Sequence, residues 1–186
     1  MDKYKMDSFT EYMIKQKWKK GTILKCLLIV AAAFFVSMFI LLVCMFLPFA
    51  MPQNPITQVF INIGLLLIVG IFYGAYRMIA RFDVEFEYAL TNSELDVDKI
   101  IRRKRRTNVV SIDVKAFIRF GKKSEENKEL EAQEEYSRVI DATANSKTHE
   151  DYYAVFFKNG QKIKLYFNPT QKMIEVFKIY APRVVK

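Results

Sequence analysis

Two stretches of almost uncharged sequence constrain this chain more than any other feature. The first, residues 23–47, carries a single charge, Lys25, in its first turn. The second, residues 56–80, has no charge before Arg77. A helix rises about 1.5 Å per residue, so either stretch would reach past the roughly 30 Å of bilayer hydrocarbon. The sequence therefore predicts two transmembrane helices.

The link between the two stretches reads PFAMPQNP. Because proline disrupts a helix interior but fits a first turn, we expect Pro48 to stop the first helix, Pro52 to bar its continuation and Pro55 to open the second. The two helices then form a tight membrane hairpin over residues 22–81. A cleaved signal peptide is the alternative for the first stretch, but its apolar core would be only about 7 to 15 residues long.

Basic residues flank the two stretches on one side only, and the connecting turn is uncharged. The flanking cations are four lysines before the first helix and two arginines at the end of the second: Lys15, Lys17, Lys19, Lys20, Arg77 and Arg81. Lysine and arginine near the ends of a span are retained in the cytoplasm. The sequence therefore predicts a protein of the cell membrane with two crossings and both termini cytoplasmic.

Each span carries a pair of small residues four positions apart, Gly70 with Gly74 and Ala33 with Ser37. Small residues at this spacing let two helix backbones approach closely, and in lipid such packing takes the place of the hydrophobic effect. The pairs predict either packing of the hairpin on itself or association into a homodimer.

Residues 1–21 are predicted to form a cytoplasmic amphipathic segment. Ser8 and Glu11 fit the S-x-x-E capping box, which indicates the start of a short helix. Apolar residues recur there at helical spacing: Phe9, Tyr12 and Met13. Trp18 lies among lysines, as expected of a helix in the headgroup layer. A plain extension of the first transmembrane helix is the alternative.

The periodicity changes to strict alternation after residue 81. Residues 82–90 alternate apolar and acidic side chains, which is typical of a half-buried strand with Glu85 and Glu87 on its solvent side. Turn residues follow, and the segment 94–101 resumes as a second strand. A third strand is predicted over residues 108–120, where apolar residues share one parity.

The remaining sequence predicts more strands and a closing helix. YSRVIDAT and DYYAVFF are extended, and the latter meets KIKLYF across Asn159 and Gly160, the strongest two-residue hairpin signal. The acidic run SEENKELEAQEE is expected to be a solvated loop or a short exposed helix. Asn168 and Pro169 fit a helix cap and first position. The helix that follows carries one apolar stripe: Met173, Ile174, Phe177 and Tyr180.

One stretch of this region resembles a known family. EYALTNSELDVDKIIRRKRRTNVVSIDVKAFIRF resembles the opening of bacterial pleckstrin-homology-like (PH-like) domains, in which a tyrosine and a Leu-Thr pair precede two strands joined by a basic segment. Phe167, Asn168, Pro169 and the helix after them are similar to the closing helix of that fold. The resemblance implies a cytoplasmic α+β domain over residues 82–186, with an antiparallel PH-like sheet or half-barrel. It also implies a small two-helix membrane protein of an uncharacterised bacterial family.

Residues that usually carry catalysis are sparse. His149 is the only histidine and lies in the polar stretch KTHED, so it has no second histidine for a metal pair or a relay. Cys26 and Cys44 lie in the first apolar stretch, without the basic, exposed surroundings of a reactive thiolate. Asp96 and Asp98 share a strand face without a third ligand nearby. The sequence therefore predicts no enzyme, no cofactor and no metal site.

The most concentrated charge is a run of five cations: Arg102, Arg103, Lys104, Arg105 and Arg106. Such a run is often simply a solvated turn or strand edge. Near an anionic inner leaflet, however, each basic residue contributes about 1 kcal/mol of attraction within roughly a Debye length of the lipid. A nucleic-acid patch usually interleaves cations with aromatic residues, and this run contains none. We therefore expect no nucleic acid as a partner.

The leading hypothesis is a non-enzymatic integral membrane protein whose cytoplasmic domain binds a protein partner or anionic lipid headgroups through the basic run. The alternative is an accessory subunit of a larger membrane transport or envelope complex, in which the Gly70–Gly74 face meets other helices. A membrane enzyme would need several polar groups converging within the bilayer, and Gln58 and Asn62 are too few.

Overall fold

The computed structural model divides the chain into a β-sheet unit, made of Met1–Lys17 and Val84–Lys186, and a helical unit, Trp18–Asp83. The residues that the structure describes are 9–52, 54–123, 135–146 and 148–185. The predicted acidic loop falls almost entirely on residues 124–134 and so lies outside the described residues.

The helical unit consists of α1, Lys20–Ala50, and α2, Pro55–Ile79. Both are long and apolar enough to cross a membrane. Pro55 opens α2 as predicted, and the Asn54 side chain caps it by accepting a hydrogen bond from the Ile56 N–H at 3.0 Å. The predicted stop at Pro48 is wrong. α1 continues to Ala50 although Pro48 has no N–H to donate to the Cys44 carbonyl, and the helix then ends within one turn of the proline.

Two four-stranded sheets make up the β-sheet unit. The first has the order β1-β2-β3-β4 and is antiparallel throughout. Its strands are β1 Phe9–Lys15, β2 Val84–Thr91, β3 Glu94–Ile101 and β4 Arg105–Asp113. The second has the order β5-β7-β8-β6, and its edge strand β6 runs parallel to β8. Its strands are β5 Phe117–Lys122, β6 Arg138–Asp141, β7 Tyr152–Lys158 and β8 Gln161–Phe167.

The segment before α1 is a strand, so the predicted N-terminal helix is wrong for the described residues 9–17. β1 pairs with β2 along its whole length, from Phe9 opposite Thr91 to Lys15 opposite Glu85. Residues 9–17 therefore belong to the β-sheet unit and not to a separate amphipathic segment.

The predicted third strand is two strands that lie in different sheets. A short 3-10 turn over Val114–Ala116 ends β4 and separates it from β5. This turn changes the phase of the side chains, so Phe117 is buried while Ile118, predicted to face the core, is 44% exposed. The alternation that looked continuous in the sequence is broken because the chain passes from one sheet to the other.

Tyr88 of β2 links the two sheets through its buried hydroxyl. The hydroxyl donates to the Ala142 carbonyl at 2.6 Å, and the Asn168 N–H donates to the hydroxyl at 3.4 Å. The Tyr88 ring packs edge to face on Phe167, with centroids 5.9 Å apart. Burial raises the pKa of Tyr88 well above its usual range, so the hydroxyl stays protonated and remains a donor.

The closing helix is α3, Gln171–Tyr180, which buries Met173, Ile174 and Phe177 as the apolar stripe predicted. Its cap lies two residues later than predicted, because the Thr170 hydroxyl accepts from the Met173 N–H. Asn168 instead contacts both ends of the connection between β6 and β7. Its side chain accepts from the Ala144 N–H and donates to the Glu150 carbonyl and to the Asp151 carboxylate.

Candidate functional site

The basic run forms the tip of the β3–β4 hairpin. The Lys104 N–H donates to the Ile101 carbonyl at 3.2 Å, which closes a turn around Arg102 and Arg103. Both arginines have left-handed backbone conformations, with φ of 56° and 55°. For a residue with a side chain this conformation costs roughly 1–2 kcal/mol.

The turn of the β7–β8 hairpin also has two residues with positive φ, but their residue types are favourable for it. Its turn contains Asn159 and Gly160, with φ of 52° and 76°, and so confirms the hairpin that the sequence predicts. Asn and Gly adopt positive φ readily, which makes this the preferred turn chemistry. The β3–β4 turn has two arginines at the corresponding positions. Backbone strain of this kind clusters at functional sites, which makes the β3–β4 turn a candidate.

Two of the five cations are tied to carboxylates of the neighbouring strands. Arg103 Nε lies 3.3 Å from Glu85 Oε1, and Arg106 contacts Glu87 as well as Asp98, the latter with Nε and Oδ2 3.3 Å apart. Glu85 and Glu87 are only 7% and 4% exposed, although the sequence predicts them on the solvent side. A buried carboxylate is strongly destabilising unless it is paired, so these two arginines have a structural role.

The other three cations remain available for an external anion. Arg102, Lys104 and Arg105 make no ion pair among the described residues, and the last two are exposed. All three lie at the turn or beside it, where the sheet ends. We call Arg102, Lys104 and Arg105 the basic tip.

The predicted helix-packing residues have different environments. Ala33 and Ser37 are buried, with 7% and 4% of their surface exposed. A Cβ built on Gly70 or Gly74 would meet no atom within 4 Å, so neither glycine makes a close contact with α1, although Gly74 and Ala33 line the same groove between the helices. Close approach within the hairpin occurs instead at Gly64, where a Cβ would lie 2.5 Å from an atom of α1, Cys44 Sγ.

The candidate catalytic and metal-binding residues are not brought together. His149 is exposed beside a turn, and both cysteines lie within α1. Asp98 is occupied by Arg106 and by the Asn108 side chain, which donates to it at 2.9 Å. In the described part of the chain, no group of three or more His, Cys, Asp or Glu side chains could hold a metal ion.

One cationic cluster on the second sheet was not singled out from the sequence. Lys164 is 2% exposed, and its Nζ lies between 4.9 and 5.2 Å from the ring centres of Tyr136, Tyr153 and Tyr166. Cation–π contacts of this kind stabilise an ammonium group that is buried away from water. The alternation in KIKLY places Lys162, Lys164 and Tyr166 on one strand face, but the contribution of Tyr136 comes from a distant segment.

The chain was compared with known proteins. A family model described as Bacterial PH-like domain (DUF6106) matches residues 6–186. The comparison with curated proteins and the comparison with solved structures each gave no match.

Proposed function

This chain belongs to the bacterial PH-like domain family DUF6106, and from that premise we propose a non-enzymatic membrane protein that docks its β-sheet unit on anionic lipid. The helical unit would anchor the chain, and the basic tip would bind lipid headgroups. The observation that carries the proposal is a hairpin tip where three cations have no carboxylate partner among the described residues and where the turn holds Arg102 and Arg103 in unfavourable backbone conformations.

Surface exposure of the helices supports the membrane anchor. In the most apolar window of α1 only 17% of residues are buried, and in that of α2 only 11%. Phe35, Phe39 and Leu66 are 68%, 67% and 72% exposed. A core helix of a soluble protein would bury such side chains, and this much exposed apolar surface is stable in lipid rather than in water.

The pairing of β1 with β2 supports a common side for both termini. The strand before α1 and the strand after α2 are neighbours, and the Gln16 N–H donates to the Val84 carbonyl at 3.0 Å. A hairpin whose two ends join adjacent strands must leave and re-enter the same compartment. The flanking lysines and arginines favour the cytoplasm as that compartment.

The orientation is tested with tags at the two termini. We expect protease added to right-side-out vesicles to leave both tags intact, and protease added to inside-out vesicles to remove both. Removal of one tag from each vesicle type would contradict a two-crossing hairpin. Removal of both tags from right-side-out vesicles would contradict the cytoplasmic orientation.

The magnitude of the lipid attraction follows from the pairing of the cations. At about 1 kcal/mol per basic residue, the three cations of the basic tip would contribute up to about 3 kcal/mol. Arg103 and Arg106 add little, because Glu85 and Glu87 neutralise them. This is the strength of a reversible contact, which suits a domain that an anchor already holds near the membrane.

Vesicle binding of a soluble form tests the lipid half of the proposal. In that form residues 18–82 are replaced by Asn-Gly, which joins Lys17 to Asp83. We expect it to float with vesicles of phosphatidylcholine mixed with phosphatidylglycerol and not with phosphatidylcholine alone. Binding should weaken as salt rises from about 0.1 M to about 1 M, because the Debye length falls from about 10 Å to about 3 Å. Equal binding to both vesicles, or to neither, would contradict lipid docking.

A further inference from the structure

Two polar side chains of α2 are exposed on the surface that would face lipid. The Gln58 side chain donates from Nε2 to Asn62 Oδ1 at 3.3 Å, and both residues are exposed. No other hydrogen bond of these side chains is formed among the described residues. The Asn62 amide nitrogen and the Gln58 amide oxygen therefore remain as a donor and an acceptor without a match.

The depth of Asn62 makes this exposure costly, given the membrane crossing proposed above. Asn62 is the eighth residue of a helix that begins at Pro55, so it lies about 10 Å from the start of α2. A helix of 25 residues exceeds the hydrocarbon thickness by only a few ångströms at each end. Asn62 would thus lie within hydrocarbon, where an unmatched amide is unfavourable.

Asn62 begins a row of residues that runs to an exposed glycine. Asn62, Leu66 and Gly70 are spaced four apart, and such a row forms one ridge on a helix surface. Gly70 is exposed, and a Cβ on it would meet no atom within 4 Å. The hairpin itself uses Gly64 for close packing, and Gly74 lines its groove with α1, so Gly70 leaves room for another helix backbone.

An open glycine alone does not identify an occupant, but the amide pair does. Two copies of the chain insert with the same orientation, so a two-fold axis along the membrane normal places Gln58 and Asn62 of both at the same depth. The Asn62 nitrogen of each copy can then donate to the Gln58 oxygen of the other. A second copy therefore supplies, at the same depth, an acceptor for the Asn62 nitrogen and a donor for the Gln58 oxygen.

We propose that the row of Asn62, Leu66 and Gly70 on α2, together with Gln58, is the surface through which two copies of this chain associate in the membrane. The proposal rests on the proposed membrane crossing but not on lipid docking by the basic tip.

The experiment uses the full chain, labelled with donor and acceptor dyes and reconstituted into phosphatidylcholine vesicles. We expect energy transfer to fall with dilution in lipid along a monomer–dimer curve. The variant Gln58→Leu/Asn62→Leu should weaken association about tenfold, since each intramembrane hydrogen bond contributes modestly and two are lost. Gly70→Leu should weaken it at least as much by blocking backbone contact.

Leu28→Phe is the matched control, because it also adds bulk at an exposed position of a membrane helix but lies on α1 and not on the row. It should leave the dilution curve unchanged. Transfer that is absent for the wild-type chain at all dilutions, or equal in all variants, would overturn the proposed dimer.

Alkaline carbonate extraction distinguishes the absence of a dimer from the absence of a membrane crossing. Protein that remains in the vesicles and does not dimerise would overturn the dimer alone. Protein that is extracted by carbonate would overturn the membrane crossing and the dimer together.

Discussion

The form in which Asn-Gly replaces residues 18–82 is expected to fold as a soluble domain, whereas a chain that begins at Asp83 is expected not to fold. Both contain every residue of the second sheet and of α3. They differ in the presence of β1, which precedes the helical unit in sequence but belongs to the β-sheet unit. The conventional truncation after the last transmembrane helix would therefore remove part of the domain.

The contacts of β1 explain why its removal is expected to prevent folding. Its seven residues pair with β2, and Ile14 is 4% exposed in the core. Burial of an isoleucine contributes about 1.5–3 kcal/mol, and each ladder hydrogen bond a net of about 1 kcal/mol. The Lys17 N–H adds a bond to the Ala144 carbonyl at 2.7 Å. The sum is comparable to the whole stability of a small domain, about 5–15 kcal/mol.

Circular dichroism melting and amide dispersion in NMR spectra would distinguish the two forms. The joined form should melt cooperatively with dispersed amide signals, and the truncated form should give neither. Ile14→Asp in the joined form is the matched control, because it keeps the chain length but places a charge in the core. Equal melting temperatures for the joined and truncated forms would show that β1 adds nothing.

The missed β1 shows what a local pattern leaves undetermined. Phe9, Tyr12 and Met13 fit a helical spacing, while Thr10, Tyr12 and Ile14 fit an alternating one, and seven residues are too few to decide. The deciding interaction is with β2, which lies beyond two complete helices in the sequence. The Asn159–Gly160 hairpin was predictable because its two strands are adjacent and its turn requires positive φ at both positions.

The candidate site, too, was only partly predictable from the sequence. The basic run was evident from the sequence, and so was its position between two strands. Its partition into paired and unpaired cations was not, because Arg103 and Arg106 reach carboxylates that lie across the sheet. The spacing of Gly70 and Gly74 indicated close packing, but only the structure shows that Gly74 lines the groove with α1 while Gly70 is exposed.

That partition leads to opposite expectations for two sets of neutralising substitutions in the joined form. Neutralising the basic tip, with Arg102→Asn, Lys104→Gln and Arg105→Gln, should weaken binding to phosphatidylglycerol vesicles by up to about a hundredfold. This is the factor that corresponds to about 3 kcal/mol. Stability should not fall, and Asn at position 102 should raise it by about 1 kcal/mol, because Asn tolerates the left-handed conformation better than Arg.

Neutralising the paired cations, with Arg103→Gln and Arg106→Gln, should act on stability instead. Glu85 and Glu87 would remain buried without their charge partners. Each unmatched buried group costs about 1–3 kcal/mol, so the unfolding free energy in urea should fall by about 2–6 kcal/mol for the two. Vesicle binding by the folded fraction should change much less than in the variant of the basic tip.

A third variant separates local docking from net charge. Lys172→Gln, Lys178→Gln and Arg183→Gln remove three exposed cations at the C-terminal end of the chain, the same change in charge as in the variant of the basic tip. If the hairpin is the docking element, this variant should bind vesicles nearly as well as the wild type. An equal loss of binding in both triple variants would mean that only the overall positive charge matters. The left-handed arginines of the β3–β4 turn would then need another explanation.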